Sequence, residues 1–94
     1  MKDFNPIISR FGGEEFCVLL PGIEKKKAYL IAHDLCEKLE DTRVVLRRQE
    51  TNITVSIGVS SFPEDGIEAK GLILKSDQAM YAAKHKGRNR VCSA

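Results

Sequence analysis

Between Ile53 and Ser60 the chain alternates without a slip. Ile53, Val55, Ile57 and Val59 are apolar, while Thr54, Ser56, Gly58 and Ser60 are small or polar. Successive side chains of an extended strand point to opposite faces, so this period predicts a strand with one apolar face. Helical periods flank it on both sides. From Glu24 to Asp41 the positions Ala28, Ile31, Ala32, Leu35 and Leu39 form one stripe of an amphipathic helix. From Ile67 to Lys86 a second helix is predicted, with Leu72, Ile73, Met80 and Ala83 inward. Gly87 suits its C-terminal cap, and Lys84, His85 and Lys86 suit the negative end of its dipole.

The remaining strands read from shorter signals. Pro6–Phe11 and Glu15–Leu20 flank Gly12-Gly13, a hairpin pattern. The second of these is apolar without interruption, as in a strand covered on both faces, and Pro21-Gly22 stops it. Val44-Val45-Leu46 fits a short edge strand, Ser61–Gly66 a turn-rich loop, and Arg90-Val91-Cys92 a closing strand. The order is hairpin, helix, strand or strands, helix, short strand. That is an α+β arrangement, an antiparallel sheet with helices packed on it. No repeat, low-complexity stretch or linker divides the chain.

The size allows one small domain, since 94 residues bury only about 60–65% of their unfolded surface. A net charge of +2 is too small to imply a nucleic-acid or membrane partner. No apolar run reaches the length of a membrane span, and no secretory leader heads the sequence. Cys17, Cys36 and Cys92 are odd in number and contain no C-x-x-C pair. They are expected as reduced thiols in or beside apolar segments rather than as disulfide or metal ligands, which points to the cytoplasm.

Two stretches have the residue types for chemistry. At the hairpin, Gly12 and Gly13 supply positive φ angles and open backbone, and Glu14 and Glu15 follow at once. Hard oxygen ligands beside an open turn suit Mg²⁺, which takes one or two protein carboxylates plus phosphate oxygens. A solvated turn with two surface glutamates fits the same spacing. At the other end, Lys84 and Arg88 lie four apart where helix gives way to loop. They suit a triphosphate, lysine as a point charge and arginine as a fork. Simple complementation of the helix dipole accounts for them equally. An RNA-binding tail is disfavoured because no aromatic residues interleave with the charges. His33 and His85 have no second histidine or cysteine at ligand spacing and read as surface residues.

Taken together, three blocks resemble the GGDEF family, the diguanylate cyclases. "RFGGEEF" is similar to the family signature in its G-G-E-E-F form. "ITVSIGVSSFPEDG" is similar to the family's strand and following loop, and "SDQAMYAAKHKGRNRV" to its A-D-x-A-L-Y-x-A-K-x-x-G-R-N pattern. Ser76 and Met80 depart from it mildly, standing where alanine and leucine are usual. The resemblance implies a nucleotidyl-cyclase-like domain with a ferredoxin-like palm. It implies condensation of two GTP molecules into cyclic di-GMP with release of pyrophosphate, each domain of a homodimer presenting one GTP. Glu14 would ligate Mg²⁺ (or Mn²⁺) and help activate the attacking 3′-hydroxyl, and Glu15 would support the metal. Gly12 and Gly13 would let the nucleotide approach, and Lys84 and Arg88 would hold its terminal phosphates.

Two departures qualify the resemblance. The family's first strand, with a second metal-binding aspartate, and the following helix, with its guanine-reading Asn and Asp, do not precede Arg10. Residues 1–94 are therefore expected to be the C-terminal portion of a GGDEF domain, inactive alone; the alternative is a catalytically inactive nucleotide-binding or regulatory module. The product-inhibition motif R-x-x-D is also missing, because Asp3 and Pro6 stand where its Arg and Asp belong.

Overall fold

A computed structural model describes residues 5–46 and 48–94. The elements follow as β1 (Ile7–Arg10), β2 (Phe16–Leu19), α1 (Lys25–Asp41), β3 (Arg43–Leu46), β4 (Gln49–Asn52), β5 (Ser56–Val59), α2 (Ala69–His85) and β6 (Arg90–Ser93). The α+β order expected from the sequence is the order observed. Of the two positions where the inhibition motif would stand, Asp3 lies outside the described residues and Pro6 directly precedes β1.

The strands pair in twos. β1 and β2 are antiparallel, with Ile7 opposite Leu19 and Arg10 opposite Phe16. β3 and β4 are antiparallel, with Arg43 opposite Asn52. β5 and β6 are parallel, with Ser56 opposite Arg90 and Val59 opposite Ser93. The third pair is parallel because α2 carries the chain back along the strand before β6 begins, the strand–helix–strand connection that parallel neighbours require. β5 is shorter than its alternating pattern, since its ladder extends only as far as the four residues of β6. β4 has no apolar alternation; its Gln-Glu-Thr-Asn sequence is extended because it pairs with β3.

The core lies where both helices meet β5 and β6. Ala32 and Cys36 of α1 pack with Val59 and Val91, and Ala28, Tyr29, Val55 and Ile57 lie against them. Ala79 and Ala83 bury the facing side of α2. The α1 stripe is thus rotated from the expected one: Cys36 is inside and Leu35 is 43% exposed. Burial and the nearby Glu40 carboxylate push the Cys36 thiol above its ordinary pKa, so it stays protonated, and its Sγ–H donates to Val55 O at 3.6 Å. Cys17 and Cys92 are half-buried, and no described cysteine is in a disulfide.

Gly58 explains how closely helix and sheet approach. A Cβ at Gly58 would collide with backbone atoms of Ser76 and Met80, so only glycine lets α2 lie directly on β5. At the far edge, Lys25 ties three parts together. Its Nζ donates to Asp65 Oδ1 at 2.9 Å and to Ala94 O at 2.7 Å. Asp65 Oδ2 in turn accepts the Ser61 N–H at 2.8 Å.

β2 corrects one expectation. It is not covered on both faces: Phe16 is 66% exposed and Leu19 56%. Among the described residues β1 and β2 pack chiefly on each other, because the helices spend their apolar faces on β5 and β6. Ile73, expected inward, is also 38% exposed, since the alanines of α2 make the contact with the sheet.

Candidate phosphate and metal site

The glycine turn is built by backbone geometry. Gly12 has φ 106° and Gly13 φ 48°, conformations that side chains resist, and a Cβ on either would meet no atom within 4 Å. Glycine is required there by the chain's path, and it leaves the turn open to an approaching ligand. The Phe11 N–H donates to Glu15 O at 2.8 Å and the Glu15 N–H to Gly12 O at 2.9 Å, closing the loop. Arg10 clamps it from the side, donating Nε and Nη2 to Gly13 O at 3.0 and 2.7 Å. No sequence signal marks Arg10, whose partner is a carbonyl.

The two carboxylates sit differently. Glu14 is within the turn, exposed, and makes no hydrogen bond or ion pair with any described residue. Glu15 is half-buried, and its Oε2 lies 3.7 Å from Lys84 Nζ. Sixty-nine positions of sequence therefore separate two groups that the fold brings together. An open, unengaged carboxylate beside a second one is a donor set that fits a hard cation keeping several other oxygen ligands.

The end of α2 is equally specific. The Lys86 N–H donates to Ala82 O and the Arg88 N–H to Ala83 O, each at 3.0 Å, with Gly87 at φ 120° between them. This six-to-one bond across a left-handed glycine ends the helix in a Schellman cap. Arg88 and Asn89 continue in left-handed conformations, φ 63° and 49°. The Arg88 guanidinium has no hydrogen-bonding or ionic partner among the described residues. Asn89 Oδ1 is buried without a donor there. The structure thus joins Lys84 to the glycine turn and leaves Glu14 and Arg88 unengaged among the described residues.

An open cleft of about 610 Å³ separates the turn from α2, lined by Phe11 and Glu15 on one side and by Lys70, Ile73, Leu74 and Asp77 on the other. Sequence reasoning missed Lys70 and Asp77. Their signal is spacing along one helical face: Lys70 lies four before Leu74, Asp77 three after it, and Lys84 seven beyond Asp77. The histidines are surface residues: His33 Nδ1 lies 3.4 Å from Glu37 Oε1, and His85 lies against the Tyr81 ring at 4.1 Å. No described helix is long and apolar enough to cross a membrane.

A family profile described as "Diguanylate cyclase, GGDEF domain" matches residues 1–90. Diguanylate cyclase A of Treponema denticola is 37% identical over 83 residues, which are 88% of this chain and 22% of that protein. The crystal structure of the GGDEF domain of YfiN (TpbB) from Pseudomonas aeruginosa superposes with a TM-score of 0.87 at 28% identity, covering 95% of this chain and 56% of that one. The GGDEF domain of DgcB from Caulobacter crescentus, solved in complex with c-di-GMP, gives 0.83 at 27% identity, with coverage of 94% and 51%. The chain therefore spans about a fifth of the curated relative and about half of each solved domain.

Proposed function

From the premise that this chain belongs to the GGDEF family of diguanylate cyclase domains, we propose that it supplies the C-terminal, motif-bearing portion of such a domain. The complete domain condenses two GTP into cyclic di-GMP and releases pyrophosphate, in the cytoplasm of a signalling bacterium. Two domains face each other as a homodimer, each presenting one GTP. No nucleic-acid or membrane contact is assigned to this segment.

Each residue has a role that its position supports. The Gly12-Gly13 turn, held by Arg10, lets the nucleotide lie against bare backbone. Glu14 offers its unengaged carboxylate to Mg²⁺ (or Mn²⁺), with Glu15 supporting the same site. When bound, the cation offsets phosphate charge and makes the 3′-hydroxyl of the facing GTP easier to deprotonate. Lys84 and Arg88 hold the terminal phosphates, fixing the α-phosphorus in line with the attacking oxygen and steadying the departing pyrophosphate. The observation that carries this reading is the 3.7 Å approach of Lys84 to Glu15, which brings a phosphate-binding cation to the signature turn.

The test is product formation by a protein that carries residues 1–94 within a complete domain, given GTP and Mg²⁺. Cyclic di-GMP and pyrophosphate in a 1:2 ratio are expected. Tight GTP binding with no product would instead establish a regulatory nucleotide-binding module.

A further inference from the structure

We propose that Arg90 is a positioning residue for Arg88, holding the loop that presents the Arg88 guanidinium to the triphosphate. The inference rests on the reading of Lys84 and Arg88 as phosphate ligands and adds a residue outside the motif that suggested them.

The loop between α2 and β6 runs through three consecutive left-handed residues, Gly87, Arg88 and Asn89. Glycine and asparagine tolerate that conformation, but arginine adopts it at a cost, so something must hold Arg88 there. The Arg88 N–H is fixed to Ala83 O at 3.0 Å by the helix cap. Its carbonyl is fixed by Arg90, whose Nε–H donates to Arg88 O at 3.1 Å. The same guanidinium lies over Gly87, its Nη2 2.9 Å from where a Cβ would stand. Arg90 itself is anchored as the first residue of β6, paired with Ser56 of β5. Both backbone polar groups of Arg88 are therefore bound, while its side chain has no partner among the described residues. A fixed backbone with an unengaged cationic side chain is the arrangement of a preorganised anion-binding arm, which loses less freedom on binding.

Only arginine can act this way from position 90. Nε and Nη2 belong to one rigid plane, so the donor to Arg88 O and the group covering Gly87 move together. Lysine keeps the charge and loses the plane. The substitution Arg90→Lys therefore separates a geometric role from a general contribution of positive charge.

The experiment is isothermal titration of inorganic triphosphate, with Mg²⁺ present, into a protein that carries residues 1–94 within a complete domain. It compares wild type, Arg90→Lys, Arg90→Ala, Arg88→Gln and the Arg88→Gln/Arg90→Lys double variant, with urea midpoints for each. Arg90→Lys is expected to weaken binding about threefold or more, with little change in midpoint. In the Arg88→Gln background Arg90→Lys is expected to have no further effect, because Arg90 works through Arg88. If Arg90→Ala fails to fold, the lysine variant and the double-variant comparison decide. Undiminished binding by Arg90→Lys, or an effect of equal size without Arg88, overturns the proposal. Absence of triphosphate binding by the wild-type protein would overturn the phosphate-gripping reading itself.

Discussion

Lys84 Nζ stands 3.7 Å from Glu15 Oε2, so the last turn of α2 and the glycine turn are in electrostatic contact. The two side chains keep 32% and 42% of their surface in water. An exposed pair of this kind contributes about 0–1 kcal/mol to folding. Its importance therefore lies in where it puts the charges.

That division can be measured. Changing Lys84 and Arg88 together to Met is expected to weaken Mg²⁺–GTP binding several-fold while shifting unfolding stability by about 1 kcal/mol or less. Titration calorimetry and urea denaturation on the same samples check it. Collapsed stability with unchanged affinity would reduce both residues to complements of the helix dipole.

Gly58 leaves no room for a side chain between β5 and α2. Gly58→Ala forces α2 away from β5, because the added carbon has only backbone of Ser76 and Met80 to push against. A loss of about 1–3 kcal/mol is expected, as in other overpacked cores. A change under about 0.5 kcal/mol by chemical denaturation, the range of an ordinary surface substitution, would show that helix and strand are not in contact there.

Asp65 gives the acid dependence. The hydrogen bond from Lys25 is the main influence holding its carboxyl below the usual carboxylate range; the Ser61 N–H and the charges of Lys25 and Lys75 act the same way, outweighing burial. Because the folded state holds the proton more weakly than the unfolded state, the contribution is complete above the unfolded carboxylate range, about pH 4, and fades as pH falls through the folded value. Asp65→Asn is expected to cost about 1–3 kcal/mol at pH 7, the range for losing charge-assisted hydrogen bonds. Its stability curve should converge with the wild-type curve in acid. Parallel curves of urea midpoint against pH would contradict the assignment.

Much of this was legible in local pattern. The Ile53–Val59 alternation, the Gly12-Gly13 turn and the Gly87 cap each follow from what one backbone conformation demands of one residue type. The failures share a different cause. Cys36 is inside and Leu35 outside because the helix rotates to fit Val59 and Val91, which no stripe on α1 alone encodes. β4 was unreadable because Gln49–Asn52 owes its extension to β3. At the site, Glu15 and Lys84 each carry a sequence signal, yet their meeting is a property of the fold. No sequence signal marks the site roles of Arg10 and Arg90, because both act on main-chain carbonyls, for which the sequence has no letter.

The hairpin should make the 94-residue polypeptide associate with itself. Ile7, Ile8, Phe16 and Leu19 are all more than half exposed, and among the described residues β2 has a ladder partner on one side only. Bare apolar surface and open strand edges both recruit further chains. Light scattering is expected to show dimers or larger species, and the same sample given GTP and Mg²⁺ is expected to form no cyclic product. A monomer that turns over GTP would contradict both expectations.

The central claim is that the turn at Glu14 and the cationic end of α2 together form a metal-dependent triphosphate site. Its most direct test is calorimetric titration of GTP, with and without Mg²⁺, into a protein that carries residues 1–94 within a complete domain, for wild type and Glu14→Gln. The account predicts binding that requires Mg²⁺ and weakens about tenfold or more in the variant, as loss of a carboxylate metal ligand should cause. Equal binding by Glu14→Gln, or affinity indifferent to Mg²⁺, would contradict it.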